Sequence, residues 1–248
     1  MPVISASTPS DCFDAIYEAV RVAVQHMTPV IFLSDGYIAN GAEPWKFPKS
    51  ADLPSIEVKF KTELGPDEEK FQPYLRDEKL VRPWVIPGTP GLEHRIGGLE
   101  KQNVTGNISY DPENHQLMVK IREEKIARIA DHIPPQRLDS GPDTGDLLVL
   151  GWGSTYGSIK SAVSELQREG YAVAHAHLRH LRPFPANLGE LLRNYKQVLI
   201  PEINNGQLIK IIRDQFLIDA KGYHKIMGVP ITKTELVMKI REILGSRN

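Results

Sequence analysis

The sequence predicts an α/β protein whose C-terminal part, residues 140–248, is a three-layer αβα domain with a mostly parallel sheet. From residue 147 onward, short apolar runs alternate with amphipathic helical patterns, which is the pattern of parallel strands joined by helices that cover both faces. Capping and turn residues separate these runs and give each element definite ends. A chain of 248 residues with 41% apolar side chains can bury the core that such a domain needs.

The first 45 residues predict one helix followed by one strand. Thr8 with Asp11 forms a capping box, and Pro9 suits the first helical position. A short buried strand follows at 30–33, and Ser-Asp-Gly at 34–36 is its exit turn. The helical stripe consists of Phe13, Ile16, Tyr17, Val20, Val24 and Met27. One helix and one strand without a partner cannot form a domain, so we expect residues 1–45 to be the end of a larger one.

Residues 46–139 are predicted to be a connecting segment. They are rich in proline, glycine and mixed charge, which is typical of chain that wraps a surface or joins domains. One helix is expected near 113–131, where apolar residues recur at helical spacing. Pro134 and Pro135 end it.

The remaining elements belong to residues 140–248. Strands are predicted at 147–150, 172–177 and 198–200 and near Ile226, each followed by a helix. Gly170 is the expected end of the first of these helices. The second begins at Asn187 with Glu190, and the last at Thr232 with Glu235, in the spacing of helix caps.

Composition excludes several classes of function. A net charge of -1 offers no electrostatic footprint for nucleic acid. The single cysteine, Cys12, excludes an intrachain disulfide and a cysteine-ligated cluster held by this sequence alone. No apolar run is long enough to cross a membrane, and the sequence shows no secretory signal, so we expect a cytoplasmic protein.

A glycine-rich turn and a histidine group are the first candidate sites. Gly-Trp-Gly-Ser-Thr-Tyr-Gly at 151–157 follows a strand and opens a helix, so its amides could hold a phosphate. Its third glycine comes one residue too late for a dinucleotide fingerprint, and a packed turn is the alternative. His175 and His177 would share one face of a strand near His180, but no acidic or cysteine ligand completes a zinc set, which favours a polar strand end.

Further polar residues are substrate or interface candidates. Glu202 lies where the third strand gives way to its helix, an edge where ligands and partners gather. Asn204 or Asn205 also suits a helix N-cap, so capping and interface roles stand beside direct chemistry. In all, these candidates are Asp35, His94, Arg95, Glu202, Asn204 and Asn205. His94 and Arg95, beside two glycines, could bind a carboxylate or phosphate or form a docking loop. Asp35 is first of all a turn residue.

Two segments resemble a known enzyme family. Pro-Gly-Thr-Pro-Gly-Leu-Glu-His-Arg-Ile-Gly-Gly-Leu-Glu-Lys at 87–101 and Pro-Glu-Ile-Asn-Asn-Gly-Gln-Leu at 201–208 are similar to the alpha subunit of 2-oxoacid:ferredoxin oxidoreductases, especially the 2-oxoglutarate enzymes. Further similar segments, in the same order as in that subunit, are 7–13, 33–37, 106–110, 151–157 and 178–185. Several motifs in the correct order make a stronger signal than one glycine pattern.

The resemblance implies a fold, an activity and partners. It implies that residues 1–45 are the end of a pyrimidine-type thiamine-binding domain and that 140–248 form a transketolase C-terminal-like domain. The activity it implies is oxidative decarboxylation of a 2-oxoacid to an acyl-CoA, with electrons passed to ferredoxin. Thiamine diphosphate, magnesium and an iron-sulfur cluster would lie mainly on a beta subunit, so that this chain alone binds no cofactor.

The resemblance also implies that the sequence begins partway through the subunit. The family's Tyr-Pro-Ile-Thr-Pro and Arg-Gly-Gly-Pro-Ser-Thr-Gly motifs would lie before Met1, and so would the glutamate that activates the cofactor. We therefore assign no catalytic, cofactor-binding or metal-binding residue to this chain and expect it to be inactive alone. Its partners would be the beta subunit and the missing N-terminal part of the alpha subunit, with ferredoxin and CoA reached through the complex. The alternatives are a non-catalytic interaction module that retains the fold, and a nucleotide-binding protein that uses residues 151–157.

Overall fold

The computed structural model describes residues 1–66 and 68–245, which fall into two compact units. The first unit comprises residues 1–2, 18–30 and 47–132. The second comprises residues 3–17 and 31–46 and everything described from Ile133 onward. The predicted division at residues 45 and 139 stays a prediction.

The N-terminal elements are strand β1 (Val3–Ser5), helix α1 (Asp11–Gln25), strand β2 (Ile31–Leu33) and the short helix α2 (Gly36–Asn40). The predicted helix and strand are confirmed, with the helix beginning at Asp11. The expectation that the strand lacks a partner is wrong, because β2 pairs in parallel with β1. β1 pairs on its other side with the antiparallel strand β6 (His180–Arg182), which gives a three-stranded sheet.

The first unit contains helix α3 (Pro112–Arg128), which continues as a 3-10 turn over Ile129–His132. Asp111 caps its N-terminus by accepting the Glu113 amide. This confirms the helix predicted near 113–131. The unit's buried apolar residues include Phe71, Val81, Leu92, Met118 and Ile129.

The second unit contains a five-stranded sheet. In chain order, its strands are β3 (Leu138–Ser140), β4 (Gly145–Trp152), β5 (Val173–Leu178), β7 (Tyr195–Glu202) and β8 (Lys221–His224). The spatial order is β3-β5-β4-β7-β8, with only the edge strand β3 antiparallel. The helices are α4 (Tyr156–Arg168), α5 (Leu188–Arg193), α6 (Gln207–Phe216) and α7 (Lys233–Leu244).

Helices cover both faces of this sheet. Apolar residues of α4 and α7 pack on one face, and those of α5 and α6 pack on the other. The strands β4, β5 and β7 are largely buried, and β4 and β7 accordingly contain continuous apolar runs at 147–150 and 198–200. β5 is buried as well, although it includes His175 and His177. The predicted three-layer αβα fold with a mostly parallel sheet is therefore confirmed.

Two local predictions in this unit need correction. The last strand ends at His224, before Ile226, which is 64% exposed. Hydrophobicity suggested a strand there, but pairing with β7 defines the strand. Asn187 does occupy the N-cap of α5, yet its side chain bonds the Gln136 backbone instead of capping the helix. The capping box of Thr232 and Glu235 is confirmed.

We expect Gly141→Ala to destabilise the second unit strongly. Gly141 has φ +104°, and a Cβ there would lie 2.6 Å from the Ala174 Cα and 2.7 Å from the Val173 carbonyl oxygen. Because these are backbone atoms, the clash and the strained φ should cost about 2–4 kcal/mol of unfolding free energy. The measurement is urea unfolding followed by circular dichroism.

Gly157→Ala is the matched control. A Cβ at Gly157 meets nothing within 4 Å, and the residue lies in α4. Replacing a helical glycine by alanine should be neutral or stabilise the protein by up to about 1 kcal/mol. Equal midpoints for the two variants would contradict the backbone clash at Gly141.

Candidate functional site

The carboxyl ends of the four parallel strands meet at one edge of the five-stranded sheet. They are Trp152 of β4, Leu178 of β5, Glu202 of β7 and His224 of β8. Ligands of parallel α/β sheets bind outside this edge. Polar groups at this edge can therefore either bind a ligand or stabilise the fold.

Glu202 is fully buried and holds the N-terminus of α6. Its Oε1 accepts the Leu208 amide at 2.9 Å, and its Oε2 accepts the Ile209 amide at 3.2 Å. The Trp152 indole Nε1 donates to Oε1 at 3.4 Å. A carboxylate suits this place because helix N-terminal amides are unpaired and the helix dipole favours negative charge there. Both oxygens are thus engaged by the protein itself.

Asn204 and Asn205 lie in the turn between β7 and α6. The Asn204 Oδ1 accepts the amides of Gly206 at 2.8 Å and Gln207 at 3.0 Å, while Asn205 is exposed. The prediction that an asparagine is the N-cap residue itself is wrong, because Gly206 occupies that position with φ 71°. A Cβ on Gly206 would lie 2.6 Å from the His224 ring. Close packing therefore requires glycine here, and Asn204 supports the turn from two residues away.

Asp35 links the N-terminal segment to the glycine-rich turn at 153–155. Its Oδ1 accepts the amides of Tyr37 at 3.0 Å and Ile38 at 3.1 Å, which caps α2. Its Oδ2 accepts the Ser154 amide at 3.0 Å. The carboxylate therefore takes a turn amide that a bound phosphate would need, which argues against the nucleotide-binding reading of residues 151–157.

His175 and His177 project from β5 toward Tyr156, as their predicted same-face placement requires. The two histidine rings are edge to face at 5.6 Å, and Tyr156 lies 5.5 Å from His175 and 5.0 Å from His177 between ring centroids. Burial, with His177 and Lys160 nearby, lowers the pKa of His175 to about 3. Burial also lowers the pKa of His177 to about 4, against the opposing effect of its contact with Gly153.

Both histidines are therefore neutral near neutral pH. The His177 Nε2 lies 3.0 Å from the Gly153 carbonyl oxygen, so this nitrogen carries the proton and donates. Neither ring nitrogen of His175 has a partner among the described residues. Within 1–66 and 68–245, no group of three or more His, Cys, Asp or Glu side chains is placed to hold a metal ion. The histidines belong to the packing of the sheet face and the turn after β4.

A cleft of about 960 Å³ in the second unit opens beside Asp35 and α4. Its walls carry hydroxyl groups from Thr8 and from Ser154, Ser158 and Ser161. The lysines at its rim are both paired, Lys225 with Glu235 at 2.9 Å and Lys233 with Glu165 at 2.7 Å. Paired cations leave little net positive charge, so the cleft suits a polar neutral group better than a phosphate. The cleft was not predicted from the sequence, although Ser158 and Ser161 of α4 have the spacing of one helix face.

The other two sequence candidates lie in the first unit. His94 is half-buried, with Nδ1 2.9 Å from the Leu92 carbonyl oxygen and its ring edge-on to Phe71 at 5.2 Å. Arg95 is exposed. Asp35, Glu202 and Asn204 thus share one unit, and the histidine–arginine pair belongs to another.

Two family models match the sequence. Residues 1–110 match the model described as pyruvate flavodoxin/ferredoxin oxidoreductase, thiamine diphosphate-binding. Residues 145–232 match pyruvate:ferredoxin oxidoreductase core domain II.

Individual proteins of the same kind are also similar to this chain. The chain is 50% identical over 246 residues to the 2-oxoglutarate oxidoreductase subunit KorA of Mycobacterium tuberculosis, covering 99% of this chain and 37% of that protein. It is 30% identical to subunit alpha of 2-oxoacid:ferredoxin oxidoreductase 1 of Aeropyrum pernix, covering 94% of this chain and 36% of that protein. A solved 2-oxoglutarate:ferredoxin oxidoreductase of Magnetococcus marinus, with 2-oxoglutarate, coenzyme A and succinyl-CoA bound, superposes with a TM-score of 0.86 at 28% identity.

That superposition covers 98% of this chain and 42% of the solved chain. The chain therefore spans about two fifths of the length of each relative. Over that span it resembles the alpha subunit of 2-oxoglutarate:ferredoxin oxidoreductases, as the sequence motifs predict.

Proposed function

We propose that this chain is part of the alpha subunit of a 2-oxoglutarate:ferredoxin oxidoreductase. The complex would convert the 2-oxoacid and CoA to an acyl-CoA and CO₂ and pass the electrons to ferredoxin. The observation that carries this proposal is the 50% identity sustained over 246 residues with a 2-oxoglutarate oxidoreductase subunit. Identity at this level along the whole chain reflects more than a shared fold.

The described residues do not fit the diphosphate and metal end of thiamine diphosphate. They contain no cluster of metal-ligating side chains, and Asp35 already occupies the Ser154 amide at the glycine-rich turn. We therefore derive no cofactor step for this chain and propose that thiamine diphosphate, magnesium and an iron-sulfur cluster are held mainly by a beta subunit. The chain's own contribution would be structural, through the subunit interface and the walls of the site.

Exposed apolar side chains support a subunit interface. On α1, Ile16 is 43% exposed and Val20 is 45% exposed, and their spacing of four places them on one helix face. Ile31 of β2 is 40% exposed. Exposed apolar side chains grouped in this way are typical of a surface that another chain or domain covers. We propose that the beta subunit, or the rest of the alpha subunit, covers it.

No helix in the described parts of the chain is long and apolar enough to cross a membrane. We propose that the complex is cytoplasmic. The single cysteine supports this, since secreted proteins tend to rely on disulfides.

The test is recovery of the tagged chain from its native cells, followed by viologen reduction with the recovered complex. We expect reduction to depend on both 2-oxoglutarate and CoA, to be weaker with pyruvate or a branched-chain 2-oxoacid, and to be absent with the chain alone. Replacing Ile16 and Val20 by lysine should abolish recovery of partner subunits without unfolding the chain. Met238→Lys, at a 66% exposed position on α7, is the matched control.

The possible results distinguish an enzyme subunit from a non-catalytic module and one substrate from another. Turnover by the purified chain alone would contradict the proposal that the chain is inactive without partner subunits. Recovery of partner subunits without 2-oxoacid-dependent reduction would favour the non-catalytic interaction module. Reduction with pyruvate as fast as with 2-oxoglutarate would reassign the substrate within the family.

A further inference from the structure

The first unit contains a pocket with an excess of positive charge. It has a volume of about 430 Å³ and lies between residues 74–82, the turn at 98–101 and helix α3. Its lining includes Tyr74, Arg76, Arg82, Glu100, Lys101, Met118, Arg122 and Lys125. We call this the basic pocket. Its volume is within the range of small-molecule sites, about 300–1,000 Å³.

The positive charges outnumber the negative ones. Arg122 pairs with Glu100 at 3.0 Å, but that carboxylate also contacts His115. Lys101 is buried and donates to the carbonyl oxygens of Gly97 and Leu99, so it stabilises the turn. The pocket lining thus sets five basic side chains against one carboxylate.

Three cations in the pocket have only neutral acceptors or an aromatic ring. Arg76 donates to the Tyr74 carbonyl oxygen at 3.1 Å and to Asn103 Oδ1 at 2.8 Å. Lys125 donates to the Met27 carbonyl oxygen at 2.9 Å. The guanidinium of Arg82 lies 4.6 Å from the centroid of the Tyr74 ring. Among the described residues, no carboxylate lies within 4 Å of any of these three cations.

Burial and neighbouring cations lower the pKa values of Lys125 and Arg76. Burial, together with Arg76 and Arg82, lowers the pKa of Lys125 to about 8, while Asp77 acts in the opposite sense. Burial also lowers the pKa of Arg76; Tyr74 opposes this, and Arg82 and Arg122 add to it. Like charges held together at a partly buried place are destabilising unless an anion joins them. The pocket therefore carries unbalanced charge that a bound anion would relieve.

We propose that the basic pocket binds a phosphate-bearing small molecule. Arg76 and Arg82 both lie against Tyr74, at 5.3 and 4.6 Å from its centroid, so one ring orients two guanidinium groups. Planar guanidinium groups match phosphate oxygens with paired hydrogen bonds, and an ammonium adds a point charge. Three cations suit a doubly charged phosphoryl group with three oxygens better than a single carboxylate. Met118 and Ile121 provide an apolar wall for the rest of the molecule.

The test uses the full chain and inorganic pyrophosphate as the probe, with isothermal titration calorimetry near neutral pH. We expect saturable binding that weakens by about tenfold or more in Arg82→Gln and in Lys125→Gln, since each removes one charged contact. Lys120→Gln, at an exposed position of α3, is the matched control and should bind as the parent does. Circular dichroism of each variant separates loss of binding from loss of folding.

Two further arms make the assignment specific. Succinate tests for a carboxylate site, and affinity equal to that of pyrophosphate would overturn the phosphate assignment. Sulfate keeps its charge as pH changes, so its affinity should fall as the pH rises through about 8 in the parent and stay flat in Lys125→Gln. The titratable and charged groups that interact with Lys125 are Arg76, Arg82, Asp77 and His26. Absence of pyrophosphate binding, or binding that both pocket variants retain, would overturn the proposal without touching the proposed oxidoreductase function.

Discussion

Acidification below about pH 6.5 is expected to destabilise the second unit steeply, because the unfolded chain gains protons that the folded chain excludes. The folded pKa is about 3 for His175 and about 4 for His177, with burial as the main cause in both. An unfolded histidine titrates near about 6.5. Between these values the unfolded state binds more protons, so the free energy of unfolding falls as pH falls. Each histidine contributes a slope of about 1.4 kcal/mol per pH unit in this window.

The measurement is a series of urea unfolding curves between about pH 7.5 and 4.5. His175→Phe should reduce the slope of the pH dependence by the contribution of one ring, about 1.4 kcal/mol per pH unit, and leave that of His177. It also removes two ring nitrogens that have no partner among the described residues. His115→Phe is the control, since the His115 side chain is 65% exposed.

The outcome that would contradict this account is a pH dependence that His175→Phe leaves unchanged while His115→Phe reduces it. His26 of the first unit adds a separate contribution, because burial and His132 lower its pKa to about 4. His26→Phe would isolate the contribution of His26 to the pH dependence of the unfolding free energy. The three variants together assign the acid sensitivity to named rings.

The sequence was enough to predict the central strands and the helices of the second unit. β4 and β7 contain continuous apolar runs because helices cover both faces of the sheet. β5 was predicted although His175 and His177 interrupt its apolar residues. β1, β3 and β6 were missed because they have three residues each, too few to show a period. Their pairing is also non-local, as β1 with β6 illustrates. No local pattern reports such a contact.

At the carboxyl edge of the sheet, too, local patterns could be predicted and non-local contacts could not. Glu202 was placed correctly at a strand end, but its hold on the Leu208 and Ile209 amides depends on how the chain turns at Gly206. Asp35 was a turn residue by pattern, and its bond to Ser154 joins segments far apart in sequence.

The basic pocket is harder still to predict. Arg122 and Lys125 are three residues apart on α3, which sequence shows. That Arg76 and Arg82 face them follows from folding of a segment without regular structure. Sequence reasoning treated that segment as a connection.

Glu202→Ala is expected to be among the most destabilising single substitutions at the carboxyl edge of the sheet. It leaves the buried amides of Leu208 and Ile209 without an acceptor and removes the partner of the Trp152 indole. An unsatisfied buried donor costs about 1–3 kcal/mol, and two at a helix N-terminus should bring the loss to about 3–5 kcal/mol of unfolding free energy. Glu202→Gln should lower the unfolding free energy less. Its one side-chain oxygen still accepts one backbone amide, while its NH₂ group faces the other amide and cannot accept from it.

Two measurements distinguish a cap from a catalytic group. Urea unfolding gives the loss of stability, with Asp214→Ala at an exposed position of the same helix as the control, expected within about 0.5 kcal/mol of the parent. Hydrogen exchange should show faster exchange at the first turn of α6 in Glu202→Gln, with the rest of the sheet protected. If Glu202→Ala unfolds at the same urea concentration as Asp214→Ala, capping is not what fixes this carboxylate in place. Its burial at the strand edge would then have to be explained by a ligand or partner, and Glu202 would return to the candidates for direct chemistry.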